Sequence, residues 1–168
     1  TPIRFGEVPR SDHPEGFQGY KLTQIATNAL PEIVVSTMAG IYYFIISETS
    51  PETGGWNRIF IASNDSDEGI GVADVDQDGY TDVTFTSGGS LTVTWARNPG
   101  NGSGSWNVYT IGTFPEADWP DRCEAADLNG DNRPDVVVGG ILYNNALLLF
   151  LQNNGDGTLS PAFESGGY

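Results

Sequence analysis

Four aspartates fall within nine residues at Asp74, Asp76, Asp78 and Asp82, and the spacing recurs as Asp127, Asn129, Asp131 and Asp135. In an extended strand such groups would repel one another and stay solvated. In a tight loop, alternating side chains converge on one point. Hard oxygen donors at this density suit calcium, which takes about 6–8 oxygens, whereas magnesium prefers few carboxylates and several waters. Gly79 is free to take a positive φ and turn the Tyr80 carbonyl inward. In the second loop Asn132 stands where that glycine would be, and Asn is the next-best residue for a left-handed turn, so Arg133 supplies the equivalent carbonyl. Two calcium sites are therefore expected. An EF-hand is excluded, because its twelfth position is a bidentate Glu and here Phe85 and Val138 occupy it. A third stretch, Gln18 to Glu32, keeps only Glu32 of its carboxylates, and no metal is expected there.

The elements that must position these loops repeat along the chain. Asp74–Asp82 recurs at an offset of 53, and Trp56-Asn-Arg-Ile-Phe-Ile recurs as Trp106-Asn-Val-Tyr-Thr-Ile at an offset of 50. Each acidic position precedes a short β-branched run: Ile33 to Ser36, Val83 to Thr86, Val136 to Val138. Turns follow at Met38-Ala39-Gly40, Gly88-Gly89-Ser90 and Gly139-Gly140. Second runs then cover Ile41 to Ile46, Leu91 to Trp95 and Ala146 to Leu151. Polar turns lead to third strands at Asn57 to Ala62, Asn107 to Gly112 and Leu159 to Phe163, and short strands such as Gly69 to Ala73 and Cys123 to Ala126 enter the next acidic loop. Short strands with turn signals at intervals of about 8–12 residues, and no helical period, read as an all-β chain. The expectation is about three four-stranded antiparallel propeller-type blades, at 17–62, 69–112 and 123–163, in a single repeat region spanning 1–168. Residues 1–16 would add an extra outer strand, Ile3 to Val8, and a loop.

The unit resembles the FG-GAP/VCBS repeat, the blade of integrin α-chain propellers and of many secreted microbial proteins. The carrying residues are Asp74 to Val83, Asp127 to Gly140 and the turn Asn153-Asn-Gly-Asp-Gly-Thr158. The resemblance implies calcium held by the first, third, fifth and ninth side chains and the seventh carbonyl, the positions named above. It also implies a closed ring of more blades than three. The chain would be incomplete as a ring on its own, and either further blades of a longer chain or self-association into a ring or filament would complete it. The chain begins at Thr1 rather than Met, which fits a processed N-terminus and a boundary within a longer protein equally well.

Composition narrows the partners. Asp and Glu outnumber Lys and Arg by 22 to 7, for a formal charge of −15, so the chain has no basic footprint for nucleic acid or an anionic membrane surface. No apolar run approaches the roughly 20 residues of a membrane span. One cysteine, Cys123, excludes a disulfide framework, and one histidine, His13, disfavours a multi-His metal site or a His relay. His13 with Asp12, Glu15 and Arg10 is read as a solvated loop, and no nucleophile elbow or P-loop is present. Trp56 and Trp106 hold equivalent positions and are expected to pack between blades. Trp119, in the Pro-rich segment Phe114 to Pro120, and Tyr143, near a hairpin turn, are candidates for stacking on a sugar ring. Asn64 and Asn101 fit the N-glycosylation acceptor pattern.

These features point to an extracellular or cell-surface, non-catalytic calcium-binding module. Its partner would be carbohydrate or an extracellular protein, in ligand binding, adhesion or assembly. A blade segment of a polysaccharide lyase, or its accessory domain, is the enzymatic alternative.

Overall fold

The computed structural model describes residues 17–27, 30–37, 39–45, 56–63, 69–114, 118–142, 145–156 and 158–165. Twelve strands form three four-stranded antiparallel sheets, with no helix among the described residues. The first sheet runs β1 (Phe17–Thr23), β2 (Glu32–Thr37), β3 (Gly40–Ile45) and β4 (Asn57–Ala62). The second runs β5 (Ile70–Ala73), β6 (Asp82–Ser87), β7 (Thr92–Arg97) and β8 (Asn107–Thr113). The third runs β9 (Asp118–Ala126), β10 (Asp135–Leu142), β11 (Asn145–Asn153) and β12 (Leu159–Ser165). None closes into a barrel; they are incomplete propeller-like blades. The expected Ile3 to Val8 strand and the His13 group lie outside the described residues.

Burial explains why the middle strands lack a polar alternation. All six residues of β6 are buried, because sheets pack on both of its faces. Val83 and Phe85 join Val34, Ile41, Tyr43 and Ile61 of the first sheet in one core. The opposite face carries Thr84 and Thr86 against β9: the Thr86 hydroxyl donates to the Asp121 carbonyl at 3.1 Å. A second core joins Val93 and Phe114 to Cys123, Val136, Val138 and Leu151. The outer strand β8 begins with four exposed residues. Trp106 packs between sheets, its ring centroid 6.2 Å from that of Tyr43. Trp56, its repeat partner, rests instead on the first sheet's own cluster of Val35, Tyr42 and Phe44.

Three local expectations are corrected. Trp119 is not in a loop: β9 starts at Asp118, and Trp119 pairs with Ile141 in the ladder. Gly139 and Gly140 do not turn the chain. They sit inside β10, paired to Leu148 and Leu147 on one side and, on the other, to Arg122 and Pro120, between which Asp121 bulges out of the β9 ladder. A glycine pair can lie opposite a bulge as readily as form a turn, and long strands on both sides keep it extended. Leu91 lies before β7 rather than in it, with φ +53.

The second and third sheets approach most closely at β5. A Cβ on Gly71 would lie 2.8 Å from the Ala125 nitrogen and 2.5 Å from the Thr84 hydroxyl. The Ala125 nitrogen is backbone, so the contact cannot be relieved by a side-chain rotation. Gly71→Ala is expected to lower stability by roughly 1–3 kcal/mol, as overpacking of a tight core does, measured by urea denaturation. Burial also pushes the Cys123 thiol up to about 12. It should therefore resist thiol reagents across neutral and mildly alkaline pH until the chain unfolds, a contrast that alkylation with and without denaturant would show.

Candidate functional site

Each acidic loop starts where an inner strand ends and closes on the strand that follows it. The ninth residue does the closing. The Asp82 carboxylate is wholly buried and accepts from the Val75 N–H at 3.0 Å and the Asn98 N–H at 2.7 Å. Asp135 does the same with Leu128 at 3.1 Å and Asn153 at 2.9 Å. Glu32, in the loop that lost its other acids, still accepts from Ile25 at 2.7 Å. Burial pushes the Asp82 carboxyl up to about 7, opposed by the N–H of Asn98 and assisted by the charge of Asp76.

The asparagines reached by these acids extend the contact to the neighbouring sheet. Asn98 donates to the Ile25 carbonyl of the preceding loop at 3.1 Å and to Thr81 at 2.9 Å, while its own carbonyl accepts from Gly100 and Gly102. Asn153 repeats the pattern one sheet on, donating to Val75 at 2.7 Å and Pro134 at 3.0 Å. Sequence reasoning used Asn153 only within the turn that carries the family resemblance and gave neither asparagine a role between sheets, though both precede a Gly-rich turn.

The loop 74–82 then brings three carboxylates together. One ligand oxygen each from Asp74, Asp76 and Asp78 lies within 4.8 Å of the others. Asp74 is braced by the N–H groups of Asp78 and Gly79, and Asp78 accepts from the Tyr80 N–H. Gly79 has φ +92, as its role requires, and Gln77 also takes a left-handed φ of +57. The Asp76 Oδ1 is buried without a hydrogen-bond partner. A hard divalent cation is the group such a donor set and orphan oxygen fit. Asp82 stands outside the three-carboxylate set, its oxygens turned to backbone N–H groups. Arg97 supplies the positive charge instead, its Nε donating to Asp76 and its second guanidinium nitrogen to Asp78 at 2.8 Å.

The loop 127–135 is built alike. Asp127 accepts from Gly130, Asp131 and Asn132, whose φ is +64. Asn129 both accepts from the Asp131 N–H and donates its amide to the Asp131 carboxylate. Arg133 contributes a guanidinium to Asp131 at 2.6 Å and to the Asn153 carbonyl at 3.0 Å. The two loops are neighbours: the Gln77 amide donates to the Asn132 carbonyl at 2.8 Å. In the 24–32 loop the Gln24 amide donates to the Leu30 carbonyl at 3.3 Å, so a neutral side chain braces it.

Beside the first of these loops lies a groove of about 640 Å³ between the second and third sheets, lined by Asp76, Trp95, Arg97, Tyr109, Asp156 and Thr158 among others. Tyr109 is 45% exposed and packs on the buried Trp95, with ring centroids 5.1 Å apart. The Thr158 hydroxyl and N–H hold the Asp156 carboxyl below its usual range. None of these groove residues except Asp76 was a sequence candidate. The aromatic at the Trp95 position recurs as Tyr43 and Phe150, and so reads as core. The Trp119 side chain and Tyr143 fall outside what the structure describes, as does Asn64. Asn101 is exposed, its side-chain oxygen accepting from the Ser103 N–H at 3.0 Å.

Deleting the inter-sheet amides should be costly. Asn153→Ala leaves the Val75 and Pro134 carbonyls without their amide donor and the Gly155 N–H without its acceptor, and a loss of about 2–4 kcal/mol is expected in urea denaturation, with Asn98→Ala similar.

Comparison with known proteins fits this architecture. No curated protein matches the chain in sequence. Among solved structures, a lectin from Agrocybe aegerita, described as recognising non-reducing terminal N-acetylglucosamine, aligns with a TM-score of 0.56 at 17% identity. The alignment covers 86% of this chain and 37% of the lectin, so the chain spans little more than a third of that protein. At this identity the likeness is one of fold. The sequence model of the FG-GAP-like repeat matches residues 74–138, from the first aspartate loop through the buried core of β10, a match consistent with an FG-GAP-like repeat over this span.

Proposed function

We propose that the chain is a non-catalytic, calcium-binding propeller module, extracellular or at the cell surface, that binds carbohydrate in the groove between its second and third sheets. One observation carries this reading: Asp76 belongs both to the three-carboxylate cluster and to the groove wall. Asp74, Asp76 and Asp78 would hold the first ion, and Asp127, Asn129 and Asp131 a second, with the Tyr80 and Arg133 carbonyls as the further ligands that the family resemblance implies. A bound ion supplies fixed positive charge that relieves carboxylate repulsion. Sites of this kind with weak affinity fill at the millimolar calcium found outside cells, which supports the location. The groove offers what sugars need, an exposed aromatic face at Tyr109 flanked by carboxylate, guanidinium and hydroxyl groups. The Agrocybe aegerita lectin's described specificity adds N-acetylglucosamine to the sugars worth testing.

A second feature supports association with further blades. Tyr20 and Leu22 of β1 are 72% and 64% exposed, whereas Ile70 and Cys123, at the position of Tyr20 in the other sheets, are 2% and 3%. The first sheet thus presents the face that its successors bury against a preceding blade, and either a second copy or more of a longer chain would cover it.

Calcium should raise the melting temperature and chelator lower it, by the equivalent of about 2.7 kcal/mol at a hundredfold excess over Kd. Isothermal titration that finds no calcium heat in the wild-type chain would remove the metal reading. A glycan array without hits in calcium would remove the carbohydrate reading and leave assembly, which light scattering would register as a mass above one chain.

A further inference from the structure

Arg97 is a residue that the repeat does not require. It ends β7 beside the buried Asp82, and the corresponding positions beside Asp135 and Glu32 are Gln152 and Ile45. Its guanidinium nevertheless occupies the carboxylates a divalent ion would use, Asp76 and Asp78. The guanidinium sits on the Oδ2 atoms of Asp76 and Asp78 while Asp76 Oδ1 is left without a partner, so an ion drawn to that oxygen would share these carboxylates with Arg97, and two cations so close repel. The side chain is 39% exposed and lines the groove, so its head can leave the loop without opening the core. A long flexible stem lets a guanidinium make that move while the backbone stays in place.

We propose that Arg97 is a movable counter-ion which calcium drives from the 74–82 loop into the groove, where it and Tyr109 receive a carboxylate-bearing sugar such as a uronic acid. The inference rests on the calcium and groove reading above. It adds the class of ligand and the coupling. With Arg97 on the loop, the anionic groups lining the groove are Asp76 and Asp156, and an acidic sugar is repelled. An ion on Asp76 cancels one of them, and the released guanidinium gives a planar fork that matches a carboxylate. Tyr109, backed by Trp95, supplies the flat apolar face for the ring. Asp156, kept ionised by Thr158, accepts from sugar hydroxyls. By linkage the acidic sugar must tighten calcium binding by the same factor that calcium tightens the sugar.

The test is calorimetry on the full chain with calcium, with a galacturonic-acid oligosaccharide and with an N-acetylglucosamine oligosaccharide, each with and without calcium, on wild type, Arg97→Gln and Arg97→Lys. Arg97→Gln is expected to tighten calcium by about tenfold, the removal of a competing charge worth about 1.4 kcal/mol, and to abolish uronate binding even in calcium. Wild type should bind uronate at least about fivefold more tightly in calcium, the lower end of common coupling, and Arg97→Lys should retain part of that gain. The Arg97 Nε–H resonance in a nitrogen–proton NMR spectrum should shift when calcium is added. Unchanged calcium affinity in Arg97→Gln, or an Nε–H signal that calcium leaves in place, overturns the proposal. If the neutral sugar binds and uronate does not, with or without Arg97, the carbohydrate module stands and the coupling falls. If wild type takes up no calcium, both fall together.

Discussion

A buried acid that ties each loop to the strand beyond it is the constraint on which the rest of the structure depends. Glu32, Asp82 and Asp135 are each fully buried, and each accepts the N–H of the residue seven positions before it. A buried carboxylate is expensive unless its oxygens are met by donors. Here the backbone meets both oxygens of Asp82 and Asp135 and one of Glu32, whose Oε1 is left without a partner, so the loop folds back in the conformation that presents those N–H groups. The same conformation points the first, third and fifth side chains at one another in 74–82. The gathering of negative charge is thus a consequence of how the loop is anchored. The arginines at 97 and 133 answer it in the structure as it stands.

The anchor also explains how separate sheets become one body. Asp82 and Asp135 hold the N–H groups of Asn98 and Asn153, whose side chains then reach the loop of the preceding sheet. Apolar packing between sheets, as at Tyr43 and Trp106, is non-directional and tolerates sliding. The amide hydrogen bonds fix the register. Gly69 and Gly71 bring β5 and β9 close enough that the register cannot drift without collision.

Much of this was legible in the sequence. Repeated β-branched runs after an acidic residue located the inner strands, and the aspartate spacing located the loops. Glu32 is kept where the rest of its loop lacks carboxylates, and only the structure shows the anchoring task that it shares with Asp82 and Asp135. What stayed hidden was whatever depends on the neighbouring sheet. Gly139-Gly140 looks like a turn locally, and only long partners on both sides keep it extended. Gln77 carries no sequence mark of a left-handed backbone, although Gly130 at the same loop position does. Arg97 and Tyr109 lie on different strands, and their common groove exists only once two sheets have packed.

The direction of the asparagine contacts has a bearing on how the chain is made. Asn98 lies 73 residues after the Ile25 carbonyl it secures, and Asn153 lies 78 after Val75. A sheet leaving the ribosome therefore has its hairpins but waits, while nearly its own length of further chain is translated, before the latch that fixes it emerges. Such an array matures from its beginning towards its end, each newcomer locking the one already outside.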